Sequence, residues 1–293
     1  MRKMLNEIAA RARPAAADGA NASYIPALAA VDPTKFALVV ITADGEEFAV
    51  GDADEPFSIQ SISKLFALGF AMERIGGPLW DRVKREPSGM RFNSIIQLET
   101  EVGVPRNPFI NAGAIVVADA LLNDDPEIAA HMRDELREMS GDNGVDFDED
   151  VHRSEIATGD MNRAAAFLLK AKGNLRGDPL AVTEAYFGFC SLAMSARALA
   201  RAGRFLISPN APGPSEHAQR LRAIMRTCGL YDQSGEFAFR VGLPAKSGVG
   251  GGILAVNPAK GYVACAWSPP LDAFGNSVAA TEALAMLTVE TGV

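Results

Sequence analysis

Apolar positions along the chain follow two periods, one helical and one extended. Residues 3–12 repeat at helical spacing and predict an amphipathic helix, which leads into a loop ending at Ser23-Tyr24-Ile25-Pro26. Phe36-Ala37-Leu38-Val39-Val40-Ile41-Thr42 is short, apolar and β-branched, which predicts a strand. Asp44-Gly45 is a hairpin signal, and 46–51 reads as the partner strand. From about 61 to 75, Ile62, Leu65, Phe66, Leu68, Phe70, Met72 and Ile75 nearly encircle a helix, so this helix should be buried. Gly76-Gly77 ends it.

From there to about residue 230 the pattern is helical. Asn111 is expected to cap a helix over 112–123, and Asp160 one over 161–172 that Gly173 stops. Asp178-Pro179 opens a segment reaching about 202, and Ser215 opens one that Gly229 closes. The acidic stretch 142–150 reads as an exposed loop. Strand character returns at 236–241, 252–256 and 262–267, and 276–290 reads as a closing helix. Strands at both ends with helices between them predict an α+β fold: an antiparallel sheet flanked by helices, with an inserted helical subdomain. Residues 1–293 would form one domain, its sheet part at about 1–75 and 231–293 and its helical part at about 76–230.

Charge then removes whole classes of partner. The formal net charge is −8, and no run of five or six Lys or Arg is present, so a nucleic-acid partner is not expected. No apolar stretch approaches the ~20 residues needed to span a bilayer, so no membrane partner is expected either. Asn6, Glu7, Arg11 and Arg13 interrupt any apolar signal region, and the expected location is cytoplasmic. Cys190, Cys228 and Cys265 sit in apolar-periodic segments and read as buried, reduced thiols.

His131, His152 and His217 have no His or Cys neighbour at metal-ligand spacing, so a metal site is not expected. Gly248-x-Gly250-x-Gly252 precedes a strand, not a helix, which removes the dinucleotide reading. Ser61-x-x-Lys64 is more informative. Residues three apart share a helix face, so the amine can reach the hydroxyl. A serine hydroxyl needs a base, and a lysine becomes one when burial or a second cation lowers its pKa. The buried helix offers the first condition, and Lys246-Ser247-Gly248 offers the second. That pairing is the pattern of serine β-lactamases and penicillin-binding proteins.

Beyond these two motifs, a set of ordered segments resembles the serine-dependent glutaminase family, which shares its fold with the β-lactamases. They include Phe57-Ser58-Ile59-Gln60-Ser61-Ile62-Ser63-Lys64, Glu86-Pro87-Ser88-Gly89, Phe92-Asn93-Ser94 and Asn107-Pro108-Phe109-Ile110-Asn111-Ala112-Gly113. Ser154-Glu155, Asn162-Arg163 and Tyr186-Phe187-x-x-Cys190-Ser191 continue the match. It is longest from Cys228-Gly229-x-Tyr231 through Lys246-Ser247-Gly248-Val249-Gly250-Gly251-Gly252-Ile253. The resemblance implies hydrolysis of L-glutamine to L-glutamate and ammonia through an acyl-serine, without a cofactor. It implies Ser61 as nucleophile, Lys64 as the activating amine and Tyr231 as a partner in proton transfer. Val249 and Ser61 would supply the oxyanion N–H groups. Tyr24, Gln60, Asn111, Glu155, Asn162 and Tyr186 would contact glutamine, with Lys246 in support. A homodimer or homotetramer is also implied.

Several of these residues have ordinary readings as well. Asn111 and Asn162 stand at helix starts, Glu155 is of a type usually solvated, Lys246 fits an exposed strand end, and Tyr186 fits core packing. Another serine acyl hydrolase would explain both motifs but not Glu155, Asn162 and Tyr186 together. A non-catalytic amino-acid sensor would not need Ser61, Lys64 and Tyr231 intact.

Overall fold

The computed structural model describes residues 1–90 and 94–292, so Phe92 and Asn93 of the matched segments lie outside the described residues. Among the described residues, eight strands form two antiparallel sheets. They are β1 (Ala37–Thr42), β2 (Glu47–Gly51), β3 (Pro56–Ser58), β4 (Asp146–Phe147), β5 (Leu192–Ser195), β6 (Ala245–Ser247), β7 (Gly252–Asn257) and β8 (Tyr262–Trp267). The larger sheet runs β2-β1-β8-β7-β6, built from both ends of the chain, and the smaller runs β3-β5-β4. The helices are α1 (Arg2–Ala12), α2 (Pro26–Ala29), α3 (Ser63–Arg74), α4 (Ile95–Thr100), α5 (Asn111–Asp124), α6 (Ile128–Ser140), α7 (Glu149–Thr158) and α8 (Asp160–Ala171). They continue with α9 (Pro179–Ser191), α10 (Ala196–Ala202), α11 (Ala218–Cys228), α12 (Ser234–Arg240) and α13 (Val278–Thr291). The fold is α+β, as expected. No helix among the described residues is long and apolar enough to cross a membrane.

Side chains of a strand alternate between the two faces of its sheet. Leu38 and Val40 of β1 enter a core with residues of α1 and α13. Val39 and Ile41 enter a second core with residues of α3, α5, α9 and α10. Both faces are covered, which explains why 36–42 shows no polar alternation. Helix α3 lies inside the second core, with Ser63 through Met72 all buried. The three cysteines are free and buried.

Four sequence expectations are corrected. Residues 236–240 lie in α12, not a strand, and Val241 follows it: Phe237 is buried with Val241 four residues on, while Phe239 is exposed. Helical spacing, not alternation, sorts those side chains. Between Pro179 and Ala202 the helix is broken by β5, because β3 and β4 pair on either side of it. The 142–150 stretch contains β4 and the start of α7, whose cap Asp148 accepts from the N–H groups of Asp150 and Val151. Finally, Asp160 is the first residue of α8, and its carboxylate pairs with Arg163.

One buried ion pair anchors the helices. Asp119 of α5, fully buried, accepts from the Arg82 guanidinium and from the N–H groups of Arg176 (3.1 Å) and Gly177 (2.7 Å). Removing the carboxylate strands a buried cation and two amides. Asp119→Ala should therefore cost about 3–5 kcal/mol, read as a lowered midpoint in denaturant unfolding.

Candidate active site

Ser61 lies in a single 3-10 turn, Gln60–Ile62, that runs straight into α3, and Lys64 occupies the first turn of α3. Both are buried, at 7% and 3% exposure. Lys64 Nζ donates to the Phe109 carbonyl (3.2 Å) and to Asn111 Oδ1 (2.6 Å), and lies 5.6 Å from the Tyr186 ring centre. Burial lowers its pKa from 10.5 to about 8, against the opposing pull of Cys190 and Glu155. An amine of that kind is neutral in useful amounts near neutral pH.

Lys246, on β6, is fully buried. Its Nζ donates to the carbonyls of Gly229 (3.1 Å) and Ser247 (2.5 Å) and sits 4.6 Å from the Tyr231 ring and 5.5 Å from the Phe109 ring. Burial first, then the charge of Lys64, hold its pKa well below the ordinary lysine value. Phe109 thus touches both lysines, one through its carbonyl and one through its ring.

The Tyr231 hydroxyl reaches Ser61 and Ser247, and burial raises its pKa. Three non-glycine residues have positive φ among the described residues, and two are here: Gln60 at 49° and Tyr231 at 53°. Backbone strain of this kind gathers where a fold holds side chains for use.

Around this centre stands a polar ring. Asn111 Oδ1 accepts from Lys64 and from the Tyr186 hydroxyl (3.3 Å), and its Nδ2 donates to Asn162 Oδ1 (2.9 Å). Asn111 was expected as a helix cap. It is instead the first residue of α5, and its side chain turns into the cluster while Ile110 holds the cap position without a side-chain bond. Glu155 of α7 is 6% exposed. Burial raises its pKa, opposed by a hydrogen bond from Gln60 and by the charge of Lys64. Tyr24 is 54% exposed at the edge of the cluster, and its phenol pKa is raised by desolvation and by the charges of Tyr231, Glu155 and Cys190.

Val249 lies in the turn between β6 and β7, pressed against the backbone that carries Ser61. A Cβ on Gly248 would lie 2.4 Å from the Ile59 carbonyl oxygen, and one on Gly250 would lie 2.1 Å from that of Ser58. Only glycine permits this approach. Trp267 steadies the turn, donating from Nε1 to the Gly250 carbonyl (3.0 Å) while stacking on Phe57 at 4.7 Å.

The fold therefore gathers Tyr24, Gln60, Ser61, Lys64, Asn111, Glu155, Asn162, Tyr186, Tyr231, Lys246 and Val249 around one cluster, with Tyr24 at its exposed edge. Two open cavities, of about 740 and 550 Å³, lie elsewhere. Two members were not anticipated as site residues. Cys190 is one helical turn beyond Tyr186 on α9 and hydrogen-bonds with it, a spacing that could have signalled it. Phe109 contributes a carbonyl, which no side-chain pattern can reveal.

Known proteins share both the sequence and this architecture. The glutaminase family model matches residues 19–293. A glutaminase of Pseudoalteromonas atlantica is 50% identical over 283 residues, covering 94% of this chain and 92% of the relative. One from Azorhizobium caulinodans is 52% identical over 290 residues, covering 96% and 94%. A solved structure of a probable glutaminase, ybaS, superposes with a TM-score of 0.90 at 34% identity, covering 100% of this chain and 98% of the other. A probable glutaminase from Bacillus subtilis, complexed with 6-diazo-5-oxo-L-norleucine, superposes with a TM-score of 0.86 at 32% identity, covering 97% and 92%. With the family matched over nearly the whole chain and the fold shared end to end, the chain belongs to the glutaminase family, hydrolases that convert L-glutamine to L-glutamate and ammonia.

Proposed function

We propose that glutamine hydrolysis here runs through a covalent acyl-enzyme on Ser61. The observation that carries this reading is Lys64: an amine one helical turn from the hydroxyl, fully enclosed, in no ion pair among the described residues, with a pKa lowered to about 8. Neutral Lys64 takes the Ser61 proton, with the Tyr231 hydroxyl beside the pair, as Oγ attacks the side-chain amide carbon. The negative oxygen of the tetrahedral intermediate rests on the N–H groups of Ser61 and Val249. The C–N bond breaks as the nitrogen receives the proton held by Lys64, and ammonia leaves. Water, deprotonated by the same amine, then attacks the glutamyl ester, and its oxygen enters the glutamate product while the proton returns to Ser61. Lys246 supports the site from the other side, its amine bonded to the Gly229 and Ser247 carbonyls and set against the Tyr231 ring.

Recognition follows from charge. Glu155 faces the substrate ammonium, since it is a buried carboxylate whose charge is felt by Lys64, Tyr24 and Tyr186. Tyr24, Gln60, Asn111, Asn162 and Tyr186 bind the carboxylate and amide through neutral donors and acceptors. Glu155→Gln keeps the shape and removes the charge. It should lower kcat/KM by roughly 30- to 150-fold, or about 2–3 kcal/mol, mainly through KM. The assay is ammonia release from glutamine, with asparagine as comparison. Glutamine turnover unchanged in Glu155→Gln would remove Glu155 from recognition.

The reading extends to a single domain, since one hydrophobic core runs from the strands at 37–41 and 254–267 through the helices between them. It includes a cytoplasmic location, supported by three free buried cysteines. It also includes a homodimer or homotetramer, which the family resemblance implies.

A further inference from the structure

One buried hydroxyl beside the cluster has no part in the steps above. Ser58 ends β3, is 4% exposed, and its residue pairs with Ala193 of β5. Its Oγ donates to the Cys190 carbonyl at 2.9 Å and accepts from Gln60 Nε2 at 3.2 Å. A hydroxyl has one proton. Once that proton is committed to Cys190, only an acceptor site remains, and Gln60 must present its NH₂ group there, not its oxygen. The second hydrogen of that NH₂ is then the one available to Glu155, with which Gln60 is hydrogen-bonded. The backbone of Gln60, at φ 49°, is in a region that non-glycine residues seldom occupy, so its side chain starts from a fixed, unusual direction.

We propose that Ser58 is a positioning residue for substrate selection: it sets the orientation of the Gln60 carboxamide, which holds the Glu155 carboxylate facing the α-ammonium of glutamine. The proposal rests on Glu155 being the partner of that ammonium. The chain of contacts is Cys190 carbonyl, Ser58 hydroxyl, Gln60 amide, Glu155 carboxylate, and it links β3, the turn before α3, α7 and α9. The Ser58 backbone is held separately, by β5 and by the close approach of Gly250. Replacing the hydroxyl alone therefore leaves the main chain, and the turn carrying Val249, in place.

The test compares Ser58→Ala, Ser58→Thr, Glu155→Gln and the double variant Ser58→Ala/Glu155→Gln on two substrates: glutamine, and its deamino analogue glutaramate, which has no ammonium. Ser58→Ala should raise KM for glutamine about tenfold with kcat within about twofold of the parent, and leave kcat/KM for glutaramate unchanged. Ser58→Thr should restore KM, because it returns the hydroxyl. In the Glu155→Gln background, Ser58→Ala should add no further loss, since both act on one contact. Equal losses on both substrates, a fall in kcat alone, or full additivity in the double variant would each overturn the role given to Ser58. An unchanged KM in Glu155→Gln by itself would overturn the assignment of Glu155, and is read independently of any Ser58 variant.

Discussion

Ser61→Ala should stop ammonia release while leaving glutamine binding in place. The substitution deletes one buried oxygen at the head of α3 and leaves Lys64, Tyr231 and the polar ring of Asn111, Asn162, Tyr186 and Glu155 untouched. Groups that hold the substrate survive, but the atom that forms the ester does not. In serine hydrolases whose nucleophile acts as a unit with its base, such a deletion costs about four to six orders of magnitude in kcat. Calorimetry with glutamine should give a Kd within a few-fold of the parent KM. Mass spectrometry should find no glutamyl adduct where the parent, stopped with acid during turnover, carries one. Retention of more than about a tenth of parental turnover would mean that Ser61 is not the nucleophile.

The second large effect is at Lys64, and it separates activity from stability. Lys64→Met fills the same space without an amine. Activity should fall by about six orders of magnitude, as for loss of the paired base in comparable sites. The fold should gain. A lysine whose folded pKa is about 8 against the ordinary 10.5 is harder to protonate in the native chain than in the unfolded one. Between those two values the unfolded chain binds the extra proton, so stability rises with pH across that window, and below pH 8 the penalty is fully present. Its size is about 3 kcal/mol, at about 1.4 kcal/mol per pKa unit. Methionine avoids it, but leaves the Phe109 carbonyl without its donor and Asn111 Oδ1 with the Tyr186 hydroxyl alone, at about 1 kcal/mol each. A net gain of about 1 kcal/mol at pH 7 should remain, seen as a shifted denaturant midpoint. The same pKa fixes the parental pH profile: kcat/KM should climb tenfold per pH unit up to about pH 8 and then level. A profile flat from pH 6 to 9 would show that Lys64 is not the base.

Much of this site was legible because its chemistry is local. Ser61 and Lys64 are three residues apart on one helical run, and an apolar surround that nearly encircles α3 implies burial before any neighbour is known. The strand at 36–42 was likewise visible, as a short apolar, β-branched run. Legibility ended where a partner distant in sequence decided the outcome. Phe237 and Phe239 alternate as in a strand, yet Val241 places the buried face at helical spacing. The 192–195 segment is apolar enough for a helix and becomes β5 only because Phe57 and Ser58 of β3 lie beside it. Asn111 carries the mark of a helix cap, but Lys64, 47 residues away in sequence, takes its oxygen.

By itself, then, the chain determined its α+β class, the pairing of strands from its two ends, the buried helix, and the serine and lysine at its head. Those follow from periodicity and short spacings, which act within a turn or two of chain. Tertiary structure alone decided the pKa of Lys64, because that value depends on how completely water is excluded and on Cys190 and Glu155 nearby. It alone set Lys246 against the rings of Phe109 and Tyr231, and it alone closed the line from Cys190 through Ser58 and Gln60 to Glu155. Hydrogen bonds and desolvation depend on distance in space, and a sequence records only distance along the chain.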